Sequence, residues 1–305
     1  MDLLNSVIQT AFENQPSNET DFIGENGLLH CGNCHTPKEC PFPKGSPFWD
    51  NWAAKRRLAA DLVKPLDGVA LRGLPIVCAC QAQATKKSDE EQKRKDFNMR
   101  IERLRRDGLS DNEYKNWTFA NDDQRTPEIS QACQSYVENW QQMRTDNIGL
   151  LFHGHVGTGK TFYACCIANA LLDKCIPVLV TNFPRLIRAL HSTTFDNNNM
   201  EALSRLQRYE LLVIDDLGTE RSTEYAQELV YSVIDTRYRS GKPLIITTNL
   251  SPDEFKAAKA ADVAYNRIYD RISENSPINI KMVGESRRAD KARGKSKKYK
   301  NLLGF

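Results

Sequence analysis

Residues Gly154-His155-Val156-Gly157-Thr158-Gly159-Lys160-Thr161 follow the apolar run Ile148-Gly149-Leu150-Leu151-Phe152 and precede the helix-compatible stretch from Phe162 to Leu172. That order of strand, glycine loop and helix is a strong constraint. It is what lets backbone N–H groups and a helix N-terminus converge on one phosphate group. Glycine permits the positive φ angles and the close backbone approach such a loop needs. Lys160 can reach β and γ phosphates, and the Thr161 hydroxyl can ligate Mg²⁺. The segment predicts a nucleoside triphosphate site built from Gly154, His155, Val156, Gly157, Thr158, Gly159, Lys160 and Thr161, set in an α/β fold.

The pattern around that loop alternates strands and helices from Gly108 onward, which predicts a mostly parallel sheet with helices on both faces. A helix is expected from Pro127 to about Arg144, a strand at Pro177 to Thr181, and helices at Pro184 to His191 and around Met200 to Arg208. The run Leu211-Leu212-Val213-Ile214-Asp215-Asp216 reads as a buried strand ending in two acids, which carry an electrostatic cost unless a cation answers them. Asp215 is the expected Mg²⁺ partner. Asp216 is a candidate to polarise the attacking water, standing where ATPases of this general kind mostly carry the longer Glu, and Glu220, four residues on, is a second candidate. A helix from Thr223 to Tyr238 leads to the strand Pro243 to Asn249, where Asn249 can hold the lytic water or sense the γ phosphate. In Asn266 to Ile272, Arg267 and Arg271 lie four apart on one helix face. Arg271, with Arg267 second, is the candidate to reach a neighbouring subunit's γ phosphate in trans.

The remainder divides by composition. Cys31, Cys34, Cys78 and Cys80 form a Cys-x-x-Cys and a later Cys-x-Cys. Two close pairs can supply four thiolates to one tetrahedral Zn²⁺, with Cys40, His30 and His35 as competing ligands. Leu28 to His30 and Pro75 to Val77 read as short strands delivering each pair, and a helix is expected from Trp52 to Leu62. From Thr85 to Leu109 a charged helix carries Phe97, Ile101 and Leu104 as a narrow apolar stripe. Its Arg100, Arg103, Arg105 and Arg106 are either a solvated face or a DNA contact. Between Arg287 and Lys300, eight basic residues stand against one acid, Asp290, a net of +7 on a chain of total +3, so the rest carries −4. A basic tail on a mildly acidic body points to nucleic acid or another polyanion, or else to a solvated tail. No stretch approaches the ~18 apolar residues of a membrane span, and the N-terminus lacks the blocks of a secretory signal, so a cytosolic protein with reduced cysteines is expected.

Taken together, Gly154 to Thr161, LLVIDDLG (Leu211 to Gly218), ITTN (Ile246 to Asn249), RIYDRI (Arg267 to Ile272) and KMVGESRR (Lys281 to Arg288) resemble the DnaC/IstB family of AAA+ ATPases. The order of cysteine module, charged helix and Trp117-Thr118-Phe119 lead-in is most similar to its bacterial and phage helicase loaders of the DnaC/DnaI type. The resemblance implies a RecA-like AAA+ core without a helical lid, and too few residues follow Ile272 to build one. It implies ATP bound between protomers, Lys160, Thr161 and Asp215 holding MgATP, Asp216 serving hydrolysis, Asn249 as sensor I and Arg271 as finger. It also implies single-stranded DNA and the replicative DNA helicase as partners, self-association or an ordered arrangement on the helicase hexamer, and DNA contact near Phe183 to Phe195 through Arg185 and Arg188. The expected domains are residues 1–84 (zinc and helicase module), 85–115 (charged linker), 116–288 (ATPase) and 289–305 (basic tail). A transposition helper of the IstB kind is the alternative; those helpers generally replace the zinc-like module with a helical region. A metabolic P-loop kinase would need a phosphoacceptor pocket and a lid, and no segment supplies either.

Overall fold

The structure is a computed structural model; it describes residues 20–40, 74–191, 203–218, 224–251, 253–254 and 263–303. The chain divides into two compact units, Met1–Asp96 and Phe97–Phe305.

In the first unit, β1 (Phe22–Ile23) pairs antiparallel with β2 (Leu29–His30), and β3 (Glu39–Cys40) with β4 (Leu74–Pro75). Helix α1 (Ala79–Gly108) starts here, and its last residues belong to the second unit. The strand expected over Pro75 to Val77 ends early. The Ile76 N–H still bonds Lys38 O at 2.7 Å, but the chain then turns into α1, where Ala79 N–H donates to Thr36 Oγ1 at 2.9 Å and caps the helix start. The second cysteine pair therefore sits at a helix N-terminus. The helix expected from Trp52 to Leu62 lies outside the described residues.

The second unit is built on five strands: β5 (Leu150–Gly154), β6 (Val178–Asn182), β7 (Leu211–Leu217), β8 (Leu244–Thr248) and β9 (Ile278–Met282). Their spatial order is β6-β7-β8-β5-β9, and every pairing is parallel. The mostly parallel sheet expected of a RecA-like core is thus wholly parallel, with the phosphate-loop strand inside the sheet. The helices are α2 (Pro127–Glu138), α3 (Trp140–Thr145), α4 (Lys160–Leu172), α5 (Phe183–His191), α6 (Glu224–Arg239), α7 (Val263–Asn275) and α8 (Arg287–Leu303).

Strand residues alternate between two cores because successive side chains point to opposite faces. Leu150, Phe152, Val178, Val180, Leu211, Val213 and Ile245 pack with α2 and α4. Leu151, Leu212, Ile214, Leu244 and Ile246 pack with α5, α6 and α7. Burial on both faces explains why these strands read as unbroken apolar runs. Each such side chain contributes about 1.5–3 kcal/mol on burial.

One expectation is corrected, and two elements are added to it. The helix from Pro127 to Arg144 breaks at Asn139, whose side-chain Nδ2 donates to Ser135 O at 2.8 Å beside its own backbone N–H, so the carbonyl is shared and the turn ends. Strand β9 is hard to read from sequence because INIKM, although it alternates apolar and polar residues, is only five residues long and largely exposed, with Met282 alone buried. The basic tail is helical from Arg287 to Leu303. Of the charged helix's stripe, Ile101 is buried and Leu104 packs on the core, whereas Phe97 is half exposed. Its arginines mostly pair with acids: Arg103 and Arg106 with Asp107, and Arg105 with Glu102 and Asp173. Among the described residues no helix is long and apolar enough to cross a membrane.

Candidate functional site

The phosphate loop joins β5 to α4 as its sequence predicts. Gly159 takes φ 105° immediately before the helix, a conformation that costs glycine little. Gly157, at φ 82°, admits no side chain, since a Cβ there would lie 2.1 Å from Ser286 Oγ. Thr158 is buried and donates to His155 O at 2.8 Å, tightening the loop, while His155 and Val156 are exposed at its tip. Lys160 is only 6% exposed and donates to Gly154 O, His155 O and Asn249 Oδ1, each at 2.8 Å. Those contacts use all of the ammonium's donors. Burial lowers the Lys160 pKa, and Arg288 adds to the effect, whereas Asp216 and Asp215 oppose it.

The two acids lie in a β-bulge. Ile214 pairs with Ile246 and Leu217 with Thr248, so Asp215 and Asp216 together oppose Thr247 alone. Asp216 adopts φ 62°, a left-handed conformation that Asp and Asn tolerate better than most residues. The Thr247 hydroxyl donates to Asp215 Oδ1 at 2.6 Å and accepts the Asp216 N–H at 2.9 Å. Asn249 Nδ2 donates to Asp216 Oδ1 at 3.0 Å. Lys160, Asn249 and Asp216 therefore form one hydrogen-bonded chain. Burial raises the Asp215 carboxyl, and Asp216 adds to this, while hydrogen bonds from Thr247 and Thr161 and the charge of Arg288 oppose it. The Thr161–Asp215 contact unites the hydroxyl and carboxylate expected to hold Mg²⁺, an oxygen pair suited to a hard cation. Glu220 lies outside the described residues.

Thr247, Arg287 and Arg288 belong to the site but were not singled out as site residues from sequence. Thr247 needed the bulge to be seen. Arg287 holds the loop from behind: its N–H donates to Gly157 O at 2.9 Å, its guanidinium reaches Asp123 at 3.1 Å and Thr126 Oγ1 at 3.1 Å, and it stacks 5.3 Å from the Tyr163 ring. A cleft of about 290 Å³ opens beside it, lined by Arg125, Thr126, Thr158, Val283, Gly284, Glu285 and Arg287. The Trp117 lead-in is fastened to α4 by Asn169, whose buried Nδ2 donates to Tyr114 O at 2.7 Å and Trp117 O at 3.0 Å.

Arg271 pairs with Asp235 at 2.8 Å and lies 4.6 Å from the Tyr231 ring centroid, which fastens it to α6 of its own chain. Arg267, one turn earlier, is exposed. Arg185 is held by Ser110 O and by Asp111 at 2.8 Å, while Arg188 is exposed. Phe195 lies outside the described residues.

In the first unit, the Sγ atoms of Cys31, Cys34, Cys78 and Cys80 all lie within 4.8 Å of one another, with Cys31–Cys80 at 3.6 Å and Cys78–Cys80 at 3.4 Å. None forms a disulfide. Zn–S bonds of about 2.3 Å in a tetrahedron put the sulfurs about 3.8 Å apart, so the donor set fits Zn²⁺. The Thr36 hydroxyl, 3.0 Å from Cys34 Sγ, brings that thiol down to about 5, whereas the crowd of neighbouring sulfurs, Cys78 first, pushes Cys80 up to about 12. Four thiolates this close require a cation to offset their repulsion. His30 is occupied elsewhere, its Nδ1 3.0 Å from His35 O and its Nε2 3.1 Å from Asn26 Oδ1. His35 is outside the cluster, and of the Cys40 side chain nothing is described.

A family model described as IstB-like ATP binding protein matches residues 83–296. The replicative helicase loader DnaI of Bacillus subtilis (strain 168) is 30% identical over 148 residues, 46% of this chain and 47% of that protein. The replicative helicase loader DnaC of Escherichia coli (strain K12) is 31% identical over 129 residues, 41% of this chain and 51% of that protein. The chain thus spans about half the length of these curated relatives. A crystal structure of DnaI superposes with a TM-score of 0.47 at 24% identity, covering 59% of this chain and 95% of that one.

Proposed function

Because the chain belongs to the family of IstB-like ATP-binding proteins, we propose that it is an ATPase that loads a replicative DNA helicase onto single-stranded DNA. The observation that carries the reading is the chain from Lys160 through Asn249 to Asp216. All donors of Lys160 are engaged, so contact with a phosphate exchanges at least one of them, and release of Asn249 alters the support of Asp216. Nucleotide is thereby coupled to the hydrolytic acid. Mg²⁺ held by Thr161 and Asp215 would neutralise charge on the β and γ phosphates. Asp216 accepts the proton of the attacking water, which Asn249 positions. The cleft beside Arg287 receives the nucleoside end, since Thr158 lines both loop and cleft. Two loaders among the relatives, together with a thiol cluster that has no place in the transposition-helper reading, support this choice over the alternative.

The thiol cluster, on this reading, holds Zn²⁺ and presents the helicase-binding module. The full chain should contain about one zinc per molecule. Cys31→Ser/Cys34→Ser should lose both the zinc, measured by elemental analysis, and capture of the helicase from host lysate in the presence of ATP. Recovery of a transposase in place of a helicase would overturn the loader assignment.

Hydrolysis completed in trans is the second part of the proposal. On this reading Arg271 would leave Asp235 to act as the finger, with exposed Arg267 on the same helix face as its alternative. Arg271→Ala should lower the turnover of helicase-bound protein by about 10³-fold or more while leaving ATP affinity intact. Turnover that is concentration-independent, and unaffected by Arg271→Ala and Arg267→Ala alike, would exclude a trans arginine.

A further inference from the structure

Helix α8 is 17 residues long, so it extends about 25 Å, and eight of its residues are cations against a single acid, Asp290. Positions 288, 291, 295 and 298 fall at helical spacing i, i+3, i+7 and i+10, placing Arg288, Lys291, Lys295 and Lys298 along one face with no acid among them. Of these, Arg288, Lys295 and Lys298 are exposed. The acids near the helix start are already engaged: Asp290 by Arg125 at 2.5 Å and by Arg293, and Glu285 by Arg293 at 3.5 Å.

Further along, Tyr299 is 55% exposed and stands between Lys298 and Lys300, with Lys298 Nζ 5.9 Å from its ring centroid. Cations interleaved with an open aromatic face are the pairing that single-stranded nucleic acid requires, phosphate against charge and base against ring.

The helix is also fixed to the nucleotide site at its first turn. Arg287 N–H bonds Gly157 O of the phosphate loop, and Arg288 bears electrostatically on both Lys160 and Asp215. We propose that α8 is an arm that binds the backbone of single-stranded DNA along its Arg288–Lys298 face, tied at its base to the phosphate loop. The choice of DNA as the polyanion rests on the loader reading, while the arm itself rests on charge, exposure and the Gly157 contact.

The test is equilibrium binding of the full chain to fluorescent oligo(dT) at several salt concentrations, with ATP present. Replacing Lys291→Ala, Lys295→Ala and Lys298→Ala together removes up to three phosphate contacts. The slope of log affinity against log salt should fall by about 2, and affinity near 0.1 M salt by about 100-fold. Replacing the same positions by arginine should restore the slope. A slope that is unchanged in the alanine variant, with its ATP binding intact, overturns the proposal. So does a variant that loses binding to polyglutamate but not to oligo(dT), which would make the arm a protein-docking element. Helicase capture by wild type and alanine variant, measured alongside, separates the two readings. An unchanged slope with capture retained removes the arm alone, whereas a wild type that captures no helicase removes the loader reading whatever the slope.

Discussion

Asp216→Asn is expected to bind ATP within about threefold of wild type and to hydrolyse it about 10²- to 10³-fold more slowly. The substitution is informative because so little else changes. Asn tolerates the left-handed φ of 62° that position 216 adopts in the bulge. Its carbonyl oxygen still accepts the hydrogen bond that Asn249 Nδ2 gives Asp216, and the backbone N–H still reaches Thr247 Oγ1. What is lost is the ability to take a proton, together with the negative charge that favours the Lys160 ammonium and disfavours the Asp215 carboxylate. A glutamate carries that ability but fits the bulge less well, because a longer side chain in left-handed backbone costs about 1–2 kcal/mol. Asp216→Glu should therefore retain turnover at reduced stability. Single-turnover ATP hydrolysis, measured with and without helicase and oligo(dT), reads both variants. Normal turnover in Asp216→Asn would move the role to Glu220.

How much of this was legible in the sequence depends on whether a feature is local. The phosphate loop and the strand ending in Asp215 and Asp216 were plain because their chemistry and periodicity lie within a few residues. The thiol quartet was legible as four candidate ligands, but not the helix start at Ala79 that carries the second pair, which Thr36 sets from more than forty residues away. The bulge opposite Thr247 was hidden for the same reason: it is a mismatch between two strands, and neither strand alone records it. Strand β9 is placed by its pairing with β5 and by Ile280 and Met282 packing on the core, and its five residues alone do not record that partner. Arg287 illustrates the limit best. In sequence it is one cation in a basic run, yet in space it fastens the phosphate loop to Asp123 and Thr126.

Lys160 sets the largest expected effect. Lys160→Ala should show no ATP binding at concentrations one hundred times the wild-type Kd, where wild type gains about 2.7 kcal/mol of stability from the ligand. For a unit of this size that gain is a rise of about 5–10 °C in Tm, and the variant's rise should be absent. The apo protein supplies the internal control. Burial depresses the Lys160 pKa, so the folded state binds that proton less tightly than the unfolded chain does. The penalty is therefore fully present below the folded pKa and fades as pH rises toward the unfolded value. Removing the charge while keeping the stem, as in Lys160→Met, should thus leave the apo Tm within about 3 °C of wild type, the lost hydrogen bonds to Gly154 O and His155 O offsetting the relief. Phosphate reverses the balance by giving the buried ammonium an anionic partner, which is why a residue that contributes little to the apo fold dominates the liganded one. A Lys160→Met protein that still rises in Tm with ATP would show that the loop backbone alone holds the triphosphate, and the coupling from Lys160 through Asn249 to Asp216 would then fail with it.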